Sequence, residues 1–145
     1  MAGITVGVDG SSGASQALEW AVKEAAARRV PLTVLTVHEV AISGWTGRPV
    51  ELPADTPVLA QARQAAGDAA AKAAAQLGEV TPVPVTVQAV NGFAAHELIK
   101  ASRDADLLVV GSRGGGGFAR LILGSIGGQV MRHAACPVVV VPGPR

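Results

Sequence analysis

The chain alternates short runs of β-branched and aliphatic residues with longer segments in helical spacing, and this alternation limits the folds open to it. The short runs predict five strands, at residues 4–9, 32–37, 84–90, 106–111 and 137–141. The longer segments predict four helices, at residues 15–29, 56–77, 93–103 and 125–134. Since successive parallel strands need a long crossover, usually a helix, the order predicts a doubly wound parallel sheet with helices on both faces.

The predicted strands are almost wholly apolar, as expected for strands buried on both sides. In such a sheet, ligands bind beyond the carboxyl ends of the strands, where the strand order reverses. The residues expected at those ends are Asp9, Val37, Asn91 and Gly111. The segment 38–55 is long for a strand-to-helix connection, which predicts a functional or mobile loop.

Length and composition predict one domain, residues 1–145, since 49% hydrophobic residues suffice for one core. No run approaches the ~18 apolar residues of a membrane helix, so no membrane association is expected. A signal peptide is not evident and Cys136 is the only cysteine, so we expect a cytoplasmic protein. The formal net charge is +1, with no basic cluster, which disfavours a nucleic-acid partner.

The region after the fourth strand is rich in glycine, and two interpretations compete for it. It is a slack surface loop, or it is a phosphate-binding loop whose glycines let a ligand approach the backbone. Gly111 and Gly114 are separated by two residues, and Gly124 directly precedes Ser125 at the start of a helix. The backbone N–H groups of such a helix start attract anions.

No catalytic constellation accompanies this region. The lysine of a Walker motif and the dinucleotide pattern GxGxxG are both absent. Segment 111–128 holds no carboxylate or histidine to orient an attacking water, which argues against an efficient enzyme. His38, His96 and His133 lack metal-site spacing and are expected at the surface or an interface, so we predict no metal site built from protein side chains. His38 is the exception, because it directly follows Val37 and is a candidate for the border of a ligand pocket there. We expect Cys136 to be an unreactive, buried residue and Trp20 to belong to the core.

Four segments of the chain then resemble the universal stress protein family. They are the pattern Gly111-x2-Gly114-x9-Gly124-Ser125, "VGVDGS" at the first strand, "DLLVVGSRG" at the fourth and "CPVVVV" at the last. The resemblance covers residues 4–142 in order and spacing. It implies an α/β, Rossmann-like sheet of order 3-2-1-4-5, similar to adenine-nucleotide alpha-hydrolases, and membership of the ATP-binding subgroup.

The resemblance also implies site residues on both sides of the nucleotide. Asp9 resembles the family's acidic contact to the nucleoside, and the backbone of Val37 resembles the group that reads the adenine edge. Gly111, Arg113 and Gly114 resemble the ribose and phosphate side of the loop.

At the helix start, Gly124, Ser125 and Ile126 resemble the residues that hold the triphosphate. Gly127 departs from the pattern, because relatives often carry a hydroxyl residue there. This departure leaves the occupant open between ATP, AMP and cyclic AMP.

From these residues we predict a regulatory protein of the stress response that binds ATP with Mg²⁺ or Mn²⁺. The alternatives are a slow ATPase and a member of the same fold that binds cyclic AMP or AMP. The apolar last strand, residues 137–141, would be an exposed edge, and an apolar edge invites pairing. We therefore predict a homodimer through this strand, and a regulatory protein partner whose identity the sequence does not indicate.

Overall fold

The computed structural model describes residues 3–8, 12–39, 57–76, 83–111 and 130–142, and these form an α/β sheet domain. The strands are β1 (Ile4–Val8), β2 (Leu32–Glu39), β3 (Val85–Gly92), β4 (Leu107–Gly111) and β5 (Val138–Val141). The helices are α1 (Ser12–Arg28), α2 (Pro57–Ala75) and α3 (Ala94–Ser102), and residues 130–133 are also helical. The rest of the predicted fourth helix, 125–129, lies outside the described residues.

The five strands form one parallel sheet of order β3-β2-β1-β4-β5, which confirms the predicted architecture. One face carries a core in which Val6, Val34 and Val109 pack with residues of α1 and α2. On the other face, Leu35, Leu108 and Val110 pack with α3 and Val130. Helices therefore cover both faces.

Three prolines set the amino-terminal edge of the sheet. Pro31, Pro84 and Pro137 each directly precede a strand, a position where the missing proline N–H removes no ladder bond. Their carbonyl groups accept hydrogen bonds from the neighbouring strand: Ile4 N to Pro31 O is 3.0 Å, Leu32 N to Pro84 O is 2.9 Å, and Leu108 N to Pro137 O is 3.0 Å. Three of the four ladders, β1–β2, β2–β3 and β4–β5, thus begin with a hydrogen bond to a proline carbonyl group.

Two strands are longer than predicted. β2 continues to Glu39 and β3 to Gly92, because their mutual ladder extends through His38 opposite Asn91 and Glu39 opposite Gly92. These polar residues lack a strand pattern of their own, and pairing with the neighbouring strand decides their conformation. The predicted loop 38–55 is therefore wrong at its first two residues, and residues 40–55 lie outside the described residues. The other described element ends coincide with the prediction or differ from it by one to three residues.

A buried serine joins α3 to the turn before β5. The Ser102 hydroxyl donates to Ile99 O at 2.6 Å and accepts from Ala135 N at 2.8 Å, and the residue is 1% exposed. It thus satisfies a backbone N–H that the strand ladder does not use. This bond fixes the approach of the chain to β5.

We expect Ser102→Ala to lower the free energy of unfolding by about 1 kcal/mol, because the Ala135 N–H loses its acceptor in a partly buried place. Urea denaturation followed by circular dichroism measures the change. Ser102→Thr keeps the hydroxyl and is the matched control for that bond, although its added methyl group must be accommodated. A value for Ser102→Ala equal to that of the parent would contradict the role of the bond.

Candidate functional site at the carboxyl edge of the sheet

The strand order reverses at β1, whose neighbours are β2 on one side and β4 on the other. Val8, the last residue of β1, is opposite Thr36 of β2. On the other side Val6 is opposite Val109, and extending this register by two residues brings Val8 level with Gly111. Thr36, Val8 and Gly111 therefore lie in one row across three adjacent strands, about 10 Å long at the usual spacing. This row borders the place where doubly wound sheets bind ligands.

Val37 follows Thr36, the residue of β2 opposite Val8, and Val8 is the last described residue on the β1 side. On the other side of β2, Val37 lies opposite Val90 of β3. The side chain of Val37 is half-buried and packs against the core on the α3 face. The prediction that Val37 ends its strand is wrong by two residues, yet its backbone on the β1 side is not part of the described β1–β2 ladder.

Gly111 is the last residue of β4 and is buried. It lies opposite Val141 of β5, and its strand, β4, lies between β5 and β1 in the sheet. The position agrees with the sequence expectation that Gly111 ends its strand. Among the predicted site residues, Val37 and Gly111 are the two within the described residues, and the structure places both at the carboxyl edge.

The other predicted site residues lie outside the described residues: Asp9, Arg113, Gly114, Gly124, Ser125, Ile126 and Gly127. Their assignments stay predictions. Sequence reasoning did not single out Thr36, which shares the row with Val8 and Gly111. The position of Thr36 in this row follows from the register of β1 and β2. In the sequence, only its place directly before Val37 indicates a role at the site.

Among the histidines and the cysteine, the structure describes the side chains of His96, His133 and Cys136, and the side chain of His38 lies outside the described part. The side chains of His96 and His133 are exposed. In the described part of the chain, no group of three or more His, Cys, Asp or Glu side chains is arranged to hold a metal ion. Cys136 is partly buried against the core on the α3 face, and this burial raises the pKa of its thiol. A hydrogen bond with the Leu108 backbone lowers this pKa in part, and the Asp106 carboxylate adds a smaller increase.

This raised pKa predicts a slow thiol. The thiolate is the nucleophile, so alkylation of Cys136 by iodoacetamide at neutral pH should be slower than that of a free cysteine derivative. Because the pKa lies above its ordinary value, the rate should climb at higher pH than in the reference compound. Mass spectrometry of timed samples across a pH series gives both rates. A Cys136 rate that levels off at lower pH than the reference would contradict this environment.

The matches to known proteins agree with this architecture. Residues 2–142 match the model of the family described as "Universal stress protein family". A universal stress protein of Mycolicibacterium smegmatis is 35% identical over 141 residues, which are 97% of this chain and 48% of that protein. One from Mycobacterium tuberculosis is 37% identical over 144 residues, covering 96% of this chain and 47% of that protein. The chain thus spans about half the length of the curated relatives it matches.

Solved structures show the same fold. A universal stress protein crystallised in complex with cAMP superimposes with a TM-score of 0.68 and 25% identity, covering 99% of this chain and 98% of that one. The UspA protein of Lactobacillus plantarum gives 0.63 and 26%, with 97% of each chain covered. The architecture that these proteins share with this chain is a five-stranded parallel sheet of order β3-β2-β1-β4-β5. The chain belongs to the universal stress protein family.

The length and apolar character of the helices bear on whether the chain could cross a membrane. Within the described ranges, none of the helices combines the length and the apolar character needed to cross a bilayer.

Proposed function

We propose that this domain binds an adenine nucleotide at the carboxyl edge of its sheet and acts as a regulatory protein of the stress response. The observation that carries the proposal is the row of Thr36, Val8 and Gly111 at the point where the strand order reverses. It is supported by the family and by the related structure, 25% identical, that was crystallised with cAMP.

Chain connectivity supports the assignment of the residues outside the described ranges. Asp9 directly follows Val8, so their Cα atoms are about 3.8 Å apart. Gly114 follows Gly111 by three residues, which limits their Cα separation to about 11 Å. Both predicted contacts therefore begin from adjacent strands at the same edge. A carboxylate on one side and glycine backbone on the other suit the ribose and phosphates of a nucleotide.

The finer proposal is that the nucleotide is ATP, bound with Mg²⁺ or Mn²⁺. Ser125 opens the helix that the sequence predicts after Gly124, where backbone N–H groups favour phosphate oxygens. Arg113 supplies a cation for the same charge. Protein side chains supply few metal ligands here, so the phosphates would provide most of the oxygen atoms around the ion.

A second candidate occupant is cyclic AMP or AMP, and the related complex with cAMP favours it. Isothermal titration with ATP, AMP and cyclic AMP, each with and without Mg²⁺, separates the candidates. Our proposal expects saturable binding, tightest for ATP with the metal. Tighter binding of cyclic AMP or AMP would replace ATP as the occupant, and no saturation at millimolar concentrations of any of them would overturn nucleotide binding.

We also propose that the bound state is read by a partner and that hydrolysis is not the function. Segment 111–128 has no carboxylate or histidine to orient an attacking water and no lysine to offset charge on the phosphates. Release of inorganic phosphate from ATP should accordingly stay far below enzyme-like rates of about 1 s⁻¹. Turnover at or above that rate would replace the regulatory proposal with an ATPase.

The dimer is proposed through β5, which lies at one edge of the sheet. Its four residues, Val138–Val141, are all valines and all half-buried, and among the described residues only β4 forms a ladder with this strand. The edge therefore offers apolar side chains and a row of backbone groups for pairing. The opposite edge strand, β3, exposes the polar side chains of Thr86 and Gln88 beside that of Val85. Light scattering should give twice the 14.5 kDa chain mass at micromolar concentration, and a monomer mass there would contradict this pairing.

A further inference from the structure

A groove lies beside α1 and is separate from the residues assigned to the nucleotide. Its volume is about 350 Å³, within the range of small-ligand pockets. The lining comes from α1, from the end of α2 with the residue that follows it, and from β5: Gln16, Glu19, Trp20, Lys23, Gln76 and Val141, with Ala73 beneath them. A second hollow of about 120 Å³ shares Glu19, Ala73 and Gln76 with it.

Trp20 supplies the main apolar surface of the groove. The sequence predicts a core residue, whereas the structure shows Trp20 half-buried at the margin of the α1-face core. One side of the indole therefore packs on the core and the rest is available in the groove. Val141 and Ala73 extend this apolar surface. A ligand seated here would place an aliphatic or flat group against these three side chains.

The charged side chains of the groove are of opposite sign and are not used inside the described fold. Glu19 and Lys23 are four residues apart on α1, a spacing that puts both on one helix face. The ion pair of this helix joins Glu24 and Arg28 instead, with 2.7 Å between Arg28 Nε and Glu24 Oε1. Within the described ranges neither Glu19 nor Lys23 forms an ion pair, and both are exposed.

These features define a complementary ligand. We propose that the groove binds a small amino carboxylate with an apolar side chain, such as a free α-amino acid. The ligand's ammonium group meets Glu19, its carboxylate meets Lys23, and its side chain lies on Trp20. The amides of Gln16 and Gln76 can donate to the carboxylate or accept from the ammonium group. Because the charged groups are exposed, the affinity should be weak, with a Kd in the millimolar range.

The test uses the fluorescence of Trp20 in the full chain carrying Trp45→Phe, so that one indole reports. L-Leucine should give a saturable change. Leucinamide lacks the carboxylate and N-acetyl-leucine lacks the ammonium group, and each should bind about three- to five-fold more weakly. The variants Glu19→Gln and Lys23→Gln change exposed residues, so folding should be unaffected. Each should weaken L-leucine binding by a similar factor.

Glu24→Gln is the matched control, because Glu24 lies on the same helix and pairs with Arg28 outside the groove. It should leave L-leucine binding unchanged. Absence of a saturable change up to about 50 mM, or equal binding of the three probes, would overturn the proposal. Since Val141 lies opposite Gly111, ATP is added as a competitor. Displacement of L-leucine by ATP would assign the groove to the nucleotide site and overturn a separate amino-acid site. L-Leucine binding that is unchanged by ATP supports a separate site, and this result does not depend on the affinity for ATP.

Discussion

Gly3→Ala should lower the free energy of unfolding by about 1–3 kcal/mol, because the first residue before β1 has no room for a side chain. A Cβ atom at Gly3 would lie 2.3 Å from the carbonyl oxygen of Pro31, and backbone there cannot rotate away as a flexible side chain can. The same place holds two ladder bonds: Ile4 N donates to Pro31 O at 3.0 Å, and Asp106 N donates to Gly3 O at 2.7 Å. Moving Pro31 to relieve the clash would strain the start of the pairing between β1 and β2. Moving Gly3 instead would strain the start of the pairing of β1 with both β2 and β4.

Urea denaturation of the parent and the variant measures the change. The matched control is Gly67→Ala in α2, where a Cβ would meet only a Val87 methyl group at 4.0 Å among the described atoms. That variant should gain up to about 1 kcal/mol, since alanine favours the helix more than glycine does. Equal stability of Gly3→Ala and the parent would mean that the β1–β2 edge tolerates movement of Pro31, against the packing described above.

Gly114→Val should weaken nucleotide binding by about 5- to 150-fold, the effect of a clash worth about 1–3 kcal/mol. The reason is the proposed close approach of the ligand to backbone, which a branched side chain would block. Titration with ATP and Mg²⁺ measures the loss, and a thermal melt of the free variant checks that the fold is intact.

The control for this effect is again Gly67→Ala, a glycine replacement in α2 far along the chain from the loop, which should bind ATP as the parent does. If Gly114→Val also binds as the parent does, the assignment of Gly114 to the ligand is wrong. A partial loss shared by both variants would instead show an effect of stability, and would equally remove the support for a direct contact.

The architecture could be predicted because its signals are local and repeated. Apolar runs such as "LLVVG" of β4 need two covered faces, and the helical segments between the runs supply the cover. The strand order came from the family resemblance, and the structure confirms it. The ends of β2 and β3 were missed because His38, Glu39, Asn91 and Gly92 become strand only by pairing with each other.

The contacts that join distant elements were not predictable in the same way. Ser102 has no sequence signal for its bond to Ala135, because 33 residues separate the two and a serine at a helix end suits many environments. The groove position of Trp20 depends on where α2 ends relative to α1, which helical periodicity does not determine. At the candidate site, glycine spacing and the predicted strand ends indicated Gly111 and Val37. The alignment of Thr36 with Val8 and Gly111 could be recognised only from the register of β1 with β2 and β4.

The central claim is that an adenine nucleotide occupies the carboxyl edge of this sheet. The most direct measurement is to purify the full chain from cells without added nucleotide, denature it by heat, and separate the supernatant by ion-pair chromatography. Our account predicts that adenine nucleotide is released, with ATP as the main species, and that Gly114→Val prepared in parallel releases much less. A supernatant of the parent protein that contains no adenine nucleotide would contradict it.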